Sequence, residues 1–252
     1  MQHIIAVVNQ KGGVGKTTTT VNVAAQLASA QKPVLIIDLD PQGNATSGLG
    51  IDKEAIGNGT YEVLCQEATL HDAVLPTGTP GLFVLPANPN LAGAEVDLVS
   101  TERREFQLQM ALAHASYAHI FIDCPPSLGL LTINGLTAAT SVLIPVQAEY
   151  YALEGLGQLL NTIQRVKQTI NPPLEVLGVA ITMYDKRNSL SQQVLKEVES
   201  HFQDKVFKTC IPRNVRLAEA PSFGETIYQH DKWSRGAFAY KNLSKEVAKR
   251  LA

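Results

Sequence analysis

Residues 9–18 read Asn-Gln-Lys-Gly-Gly-Val-Gly-Lys-Thr-Thr and follow directly on the apolar run Ile4-Ile5-Ala6-Val7-Val8. This order predicts a strand, a glycine-rich loop and then a helix. Gly12, Gly13 and Gly15 leave Val14 as the only sizeable side chain before Lys16, so successive backbone N–H groups can turn inward onto an anion. The helix N-terminus that follows adds free amides and a favourable dipole. In the phosphate-binding pattern G-x-x-x-x-G-K-[ST], the lysine reaches the β- and γ-phosphates and the hydroxyl ligates Mg²⁺. Lys16 and Thr17 fill those positions, with Thr18 beside them. The departure comes at the start, where Gln10 replaces the first glycine and a second lysine, Lys11, stands five residues before Lys16.

The segment Lys11–Thr18 resembles the deviant Walker A motif of the ParA/MinD group of P-loop ATPases. The resemblance implies that Lys11 crosses a homodimer interface to the nucleotide of the partner subunit. A cation delivered in trans would supply charge where it develops during phosphoryl transfer, and would tie activity to dimerisation.

Two further strand ends carry carboxylates. Val34-Leu35-Ile36-Ile37 is a continuous apolar run, as expected for a parallel strand buried on both faces, and it ends in Asp38-Leu39-Asp40-Pro41-Gln42-Gly43-Asn44. Open α/β sheets bind ligands at the carboxyl ends of their strands. Asp40 is the candidate for orienting an attacking water and matches the second Asp of the family's DxDPQxN segment; Asp38 is read as a supporting Mg²⁺ or loop contact. Ile120-Phe121-Ile122 ends in Asp123-Cys124-Pro125-Pro126, a Walker B arrangement that delivers one carboxylate towards Mg²⁺.

The elements that must position these groups are β-strands near 3–8, 33–37, 82–85, 119–123, 141–146, 175–182 and 206–211. Helices are expected near 17–30, 60–65, 102–115, 128–138, 153–169, 189–202 and 237–251. The alternation predicts an α/β fold: one P-loop NTPase domain over 1–252, with a mostly parallel twisted sheet of seven to eight strands and helices on both faces. Residues 41–59, with five glycines, read as a mobile loop beside Asp40. With 45% apolar residues the chain can bury a sizeable core. No run approaches the roughly 20 apolar residues of a membrane span. The first strand starts at His3, which leaves no room for a signal peptide or an N-terminal helix-turn-helix domain. Cys65, Cys124 and Cys210 are scattered without C-x-x-C spacing, so a reduced, cytoplasmic setting without a cysteine metal site is expected.

Net charge is −2, but it is unevenly distributed. Residues 205–252 hold ten basic and four acidic side chains, a charge of +6, against −8 for the rest. Such asymmetry predicts a basic face for a polyanion. Thr182-Met183-Tyr184-Asp185-Lys186-Arg187 and the run Ile211–Ser222 resemble segments of Soj-type chromosomal ParA proteins, and the similarity extends over essentially the whole chain. The resemblance implies sequence-independent DNA binding through Arg187 and Arg216. It places Pro212, Arg213 and Asn214 at the purine, with Met183 flanking the base or packing in the core. It also implies a ParB-type partner that stimulates hydrolysis of ATP, and nucleoid association. Two other readings are a MinD-like membrane-cycling ATPase and an ATP-dependent small-molecule ligase on the same scaffold. The tail 242–252 has its apolar positions at 243, 247, 248 and 251 with no large aromatic, a pattern of packing on its own domain rather than on a membrane.

Overall fold

The computed structural model describes residues 2–149 and 154–252. Its strands are β1 (His3–Val7), β2 (Val34–Asp38), β3 (Leu75–Pro76), β4 (Leu82–Leu85), β5 (His119–Asp123), β6 (Ser141–Gln147) and β7 (Glu175–Thr182). They form one seven-stranded sheet in the order β3-β4-β2-β5-β1-β6-β7. Every pairing is parallel except that of β3 with β4. The helices in chain order are α1 (Lys16–Leu27), α2 (Asn44–Gly48), α3 (Thr60–Leu64), α4 (Leu70–Ala73), α5 (Ala94–Asp97), α6 (Gln107–Ala111) and α7 (Leu130–Ala138). They continue with α8 (Glu154–Thr169), α9 (Ser189–Phe202), α10 (Val215–Glu219), α11 (Ile227–Asp231) and α12 (Arg235–Leu251).

Alternation along each strand splits the core into two layers. Ile5 and Val7 of β1, Ile36 of β2, Phe121 of β5 and Leu143 of β6 face the layer that holds Tyr240, Leu243 and Val247 of α12. Ala6, Ile37, Ile122 and Ile144 face the opposite layer with Leu136 of α7 and Leu159 of α8. Both faces are covered, which is why these strands are apolar without interruption. The register then sets the depth of the carboxylates: Asp38 and Asp123 stand directly opposite each other on β2 and β5, and Val7 is level with Asp123.

Three expectations are corrected. Residues 206–211 run beside β7 and donate to it from the Phe207 and Ile211 N–H groups, but they form a single bridge with it, Val206 with Val179, and no continuous strand; a second bridge, Pro212 with Tyr184, lies just beyond both. The Lys208 and Thr209 N–H groups donate to the Glu246 carboxylate on α12, and Pro212 has no N–H to offer. Residues 102–115 do not form one helix. Arg103 adopts φ 53°, a tight turn follows over Arg104–Phe106, and the Leu108 N–H donates to Asn134 Oδ1 of α7. Within 41–59, α2 and a short 3-10 turn (Lys53–Ala55) replace the expected loop, because Ala45 and Leu49 are buried and Thr46 is tied to Asp38. The helix expected from residue 153 is described from Glu154, and residue 153 itself lies outside the described residues.

Candidate functional site

The glycine-rich loop leaves β1 at the carboxyl edge of the sheet and enters α1 at Lys16. Gly13 and Gly15 adopt φ 72° and 85°, a left-handed backbone that side chains with a Cβ disfavour. A Cβ on Gly12 or Gly13 would meet nothing within 4 Å, so the glycine face is open to a ligand. Two bonds brace the loop from beneath: the Lys11 N–H donates to Asn9 Oδ1 at 2.9 Å, and the Thr182 hydroxyl donates to the Val14 carbonyl at 2.8 Å.

α1 carries four threonines after Lys16, poor helix formers, and the hydroxyls of three find specific work here. Thr17 donates to Asp123 Oδ2 at 2.7 Å, while Thr20 is placed to donate to Asp123 Oδ1 at 3.1 Å or to the Lys16 carbonyl at 3.0 Å. Thr19 bonds the buried Tyr240 hydroxyl at 3.1 Å and so ties α1 to α12. Lys16 is 7% exposed, and its ammonium lies 3.3 Å from the Lys11 carbonyl. Burial pulls its pKa down, opposed by the nearby charges of Asp123 and Asp40.

The three carboxylates have different surroundings. Asp38 is fully buried; Oδ2 accepts from the Thr46 N–H (2.8 Å) and hydroxyl (2.7 Å), and Oδ1 from the Asp40 N–H (3.3 Å). Oδ2 thereby anchors Thr46 of α2, and Oδ1 holds the turn into Asp40, the loop contact of its two readings. Asp123 is also fully buried, and burial raises its pKa, with the Asp38 charge adding to the effect. Burial raises Asp38 as well, against the lowering effect of its Thr46 bonds. Asp40 accepts from the Gln42 N–H at 3.0 Å and is 7% exposed beside the loop.

These residues fit a nucleotide with a hard divalent cation. A hydroxyl and a carboxylate at one point suit Mg²⁺, which keeps waters and takes its remaining ligands from phosphate. Among the described residues no three His, Cys, Asp or Glu side chains gather as a metal cage.

Lys11 turns to its own subunit, where its ammonium lies 3.7 Å from Glu149 Oε2. Arg213 reaches the other oxygen of Glu149 at 3.3 Å. Glu149 was not expected from the sequence; it follows β6 by two residues and carries no motif of its own. Thr20 was legible in principle, being one helical turn from Thr17 on the same face. Met183 has φ 51°, rare for a residue with a Cβ, and its sulfur lies 3.2 Å from Gln147 Nε2. The bridge between Tyr184 and Pro212 places it beside the Pro212–Asn214 loop. Arg187 and Arg216 are exposed, each paired with a carboxylate of its own chain: Asp185 at 3.2 Å and Glu219 at 2.8 Å.

Sheet order, glycine loop and strand-end carboxylates together define a P-loop NTPase fold. A family described as AAA domain matches residues 2–176. The sporulation initiation inhibitor protein Soj of Bacillus subtilis is 56% identical over 250 residues, 98% of this chain and 99% of its own length. The chromosome partitioning protein ParA of Caulobacter vibrioides is 50% identical over 252 residues, 98% and 94% of the two chains. The chain belongs to the Soj/ParA family of chromosome-partitioning ATPases. A solved structure of cobyrinic acid a,c-diamide synthase from Mycobacterium smegmatis with bound ATP analogue and magnesium superimposes with a TM-score of 0.85 at 40% identity, covering 97% of this chain and 93% of that one.

Proposed function

We propose that this chain is an ATP-switched partitioning ATPase that grips DNA without sequence preference while dimeric and releases it on hydrolysis. The observation that carries the reading is the convergence of the Lys16 ammonium with the carboxylates of Asp40 and Asp123 at the glycine loop. Lys16 and the loop amides of Gly12–Thr18 hold the phosphates, and Asp40 orients the attacking water. Thr17 and Asp123 hold Mg²⁺, with Asp38 supporting them through the α2 segment. Mg²⁺ supplies positive charge to the phosphates when bound. Met183, Pro212, Arg213 and Asn214 bound the base. Lys11 leaves Glu149 for the partner's nucleotide, and Arg187 and Arg216 meet DNA phosphates.

The family membership supports a ParB-type partner that stimulates hydrolysis, and a cytoplasmic, nucleoid-associated protein with no membrane step. The apolar face of α12 is already used, with Leu243, Val247 and Leu251 buried against the core, and no helix among the described residues is long and apolar enough to cross a membrane. The test is duplex binding with ATP, with ADP and without nucleotide, each with and without a candidate ParB. Equal affinity in all three nucleotide conditions would sink the switch. A ligase reading draws on the 40% identical Mycobacterium smegmatis protein; turnover that rises with a carboxylate metabolite and ignores DNA would favour it.

A further inference from the structure

Trp233 is the single tryptophan of the chain and is 78% exposed. It precedes Ser234, whose hydroxyl caps α12 by accepting from the Ala237 N–H at 3.1 Å. Trp233 and Phe238 therefore occupy the two positions of a hydrophobic staple around that cap. A staple accounts for the residue types. Yet Phe238 is itself 57% exposed, so most of both side chains faces solvent. Aromatic rings left in water next to polar groups are a mark of interaction surfaces.

The surroundings specify the charge of the partner. The Trp233 N–H donates to Asp231 Oδ1 at 3.1 Å, and Asp231 Oδ2 lies 3.7 Å from Arg216 Nε. The Lys232 ammonium sits 5.4 Å from the centre of the Trp233 ring. Gly236 packs against Leu217, so α12 starts directly on α10, the helix of Arg216. Beyond the ring, α12 exposes Arg235, Lys241, Lys245 and Lys249. Its one acid, Glu246, is taken up by the Lys208 and Thr209 N–H groups, and the acids beside Arg216 are paired with it.

We propose that Trp233 is the aromatic contact of a double-stranded DNA surface that runs from Arg216 across Lys232 and Arg235 onto the exposed face of α12. The ring packs on the sugar–base edge of a groove while the flanking cations hold phosphates. The inference rests on the DNA-binding reading given above and adds a contact of a different physical kind. Phosphate contacts lose strength with salt through counterion release, whereas packing of an aromatic ring on nucleotides does not release counterions.

The test uses the full chain with ATP and Mg²⁺, a labelled duplex of arbitrary sequence, and a salt series read by fluorescence anisotropy. Trp233→Ala is expected to weaken binding by about fivefold or more at every salt concentration, the worth of about 40 Å² of ring taken out of water, leaving the log–log slope unchanged. Trp233→Phe restores part of the loss. Arg235→Ala lowers the slope by about 1 per subunit instead. The emission of the sole tryptophan of the wild type shifts or quenches in step with saturation by unlabelled duplex. Because most of the ring is exposed, Trp233→Ala removes little beyond its part of the staple and stays folded at the assay temperature. Wild-type duplex affinity in Trp233→Ala, with tryptophan emission indifferent to saturating duplex, overturns the proposal while DNA binding stands. Failure of the wild type to bind duplex with any nucleotide overturns both.

Discussion

Gly50 and Gly224 meet backbone to backbone: a methyl group on Gly224 would stand 2.5 Å from the Gly50 Cα, and both residues have positive φ, 79° and 67°. Nearby, Gly48 faces Pro221, where a methyl group would make an ordinary contact of 3.6 Å with the proline ring. The segment that follows Asp40 is thus pressed onto residues 220–224, and these follow directly on α10, which carries Arg216. Gly224→Ala meets both a clash and an unfavourable backbone conformation. It should cost about 1–3 kcal/mol of stability. The urea midpoint at constant slope measures it, and a wild-type midpoint would mean that the two segments can separate freely.

Asp40→Ala should keep ATP binding and dimerisation but lose hydrolysis by about 100-fold or more, since a group that orients water acts mainly in the transition state. Lys16→Ala should lose productive nucleotide binding itself. Single-turnover hydrolysis beside nucleotide titration separates the two, and a wild-type rate in Asp40→Ala would remove Asp40 from the chemistry.

The contact of Lys11 with Glu149 is partly exposed and loose, so its release costs no more than about 1 kcal/mol. Glu149→Gln should therefore shift ATP-dependent dimerisation by less than about fivefold per subunit. Lys11→Ala should abolish most of it while leaving nucleotide binding to the monomer intact. Size-exclusion chromatography with and without ATP distinguishes these outcomes. Loss of monomer binding with normal dimerisation would place Lys11 on its own nucleotide.

Arg216→Ala should weaken duplex binding about equally on unrelated sequences, because phosphate contacts carry affinity without sequence information. The log–log salt slope should fall by about 1 per subunit, with ATP binding unchanged. Two duplexes of different sequence over a salt series give the answer; an unaltered slope would take Arg216 off the DNA surface.

Burial raises the pKa of both Asp38 and Asp123, to about 6 and about 7. In the unfolded chain both lose their protons near pH 4. Between these limits the folded state holds more protons, so the stability they contribute is full below about pH 4 and is lost as pH rises to about 7. His119, whose pKa burial lowers, acts in the opposite sense. The difference between wild type and Asp123→Asn therefore isolates the pair. Without nucleotide and with chelator present, the gain in thermal midpoint from pH 8 to pH 5.5 should be smaller in Asp123→Asn than in wild type. Identical pH profiles would show that the pair ionises normally.

Local pattern was enough to determine much of this protein. Apolar runs of strand length located β1, β2, β4, β5, β6 and β7, because strands buried on both faces leave no room for polar residues. The loop from Lys11 to Thr18 and the strand-end carboxylates were legible because their chemistry depends on adjacent residues in a fixed order. Contacts between distant segments were not legible. The bond of Asp38 to a helix depended on Thr46 being folded back onto it, and the failure of 206–211 to pair as a strand depended on Glu246, 37 residues beyond Thr209. The Glu149 bridge between Lys11 and Arg213 and the closure of Gly50 on Gly224 join residues 64 to 174 positions apart. Such pairings follow from sheet order and helix packing, which no window of sequence encodes, and only the tertiary structure decided them.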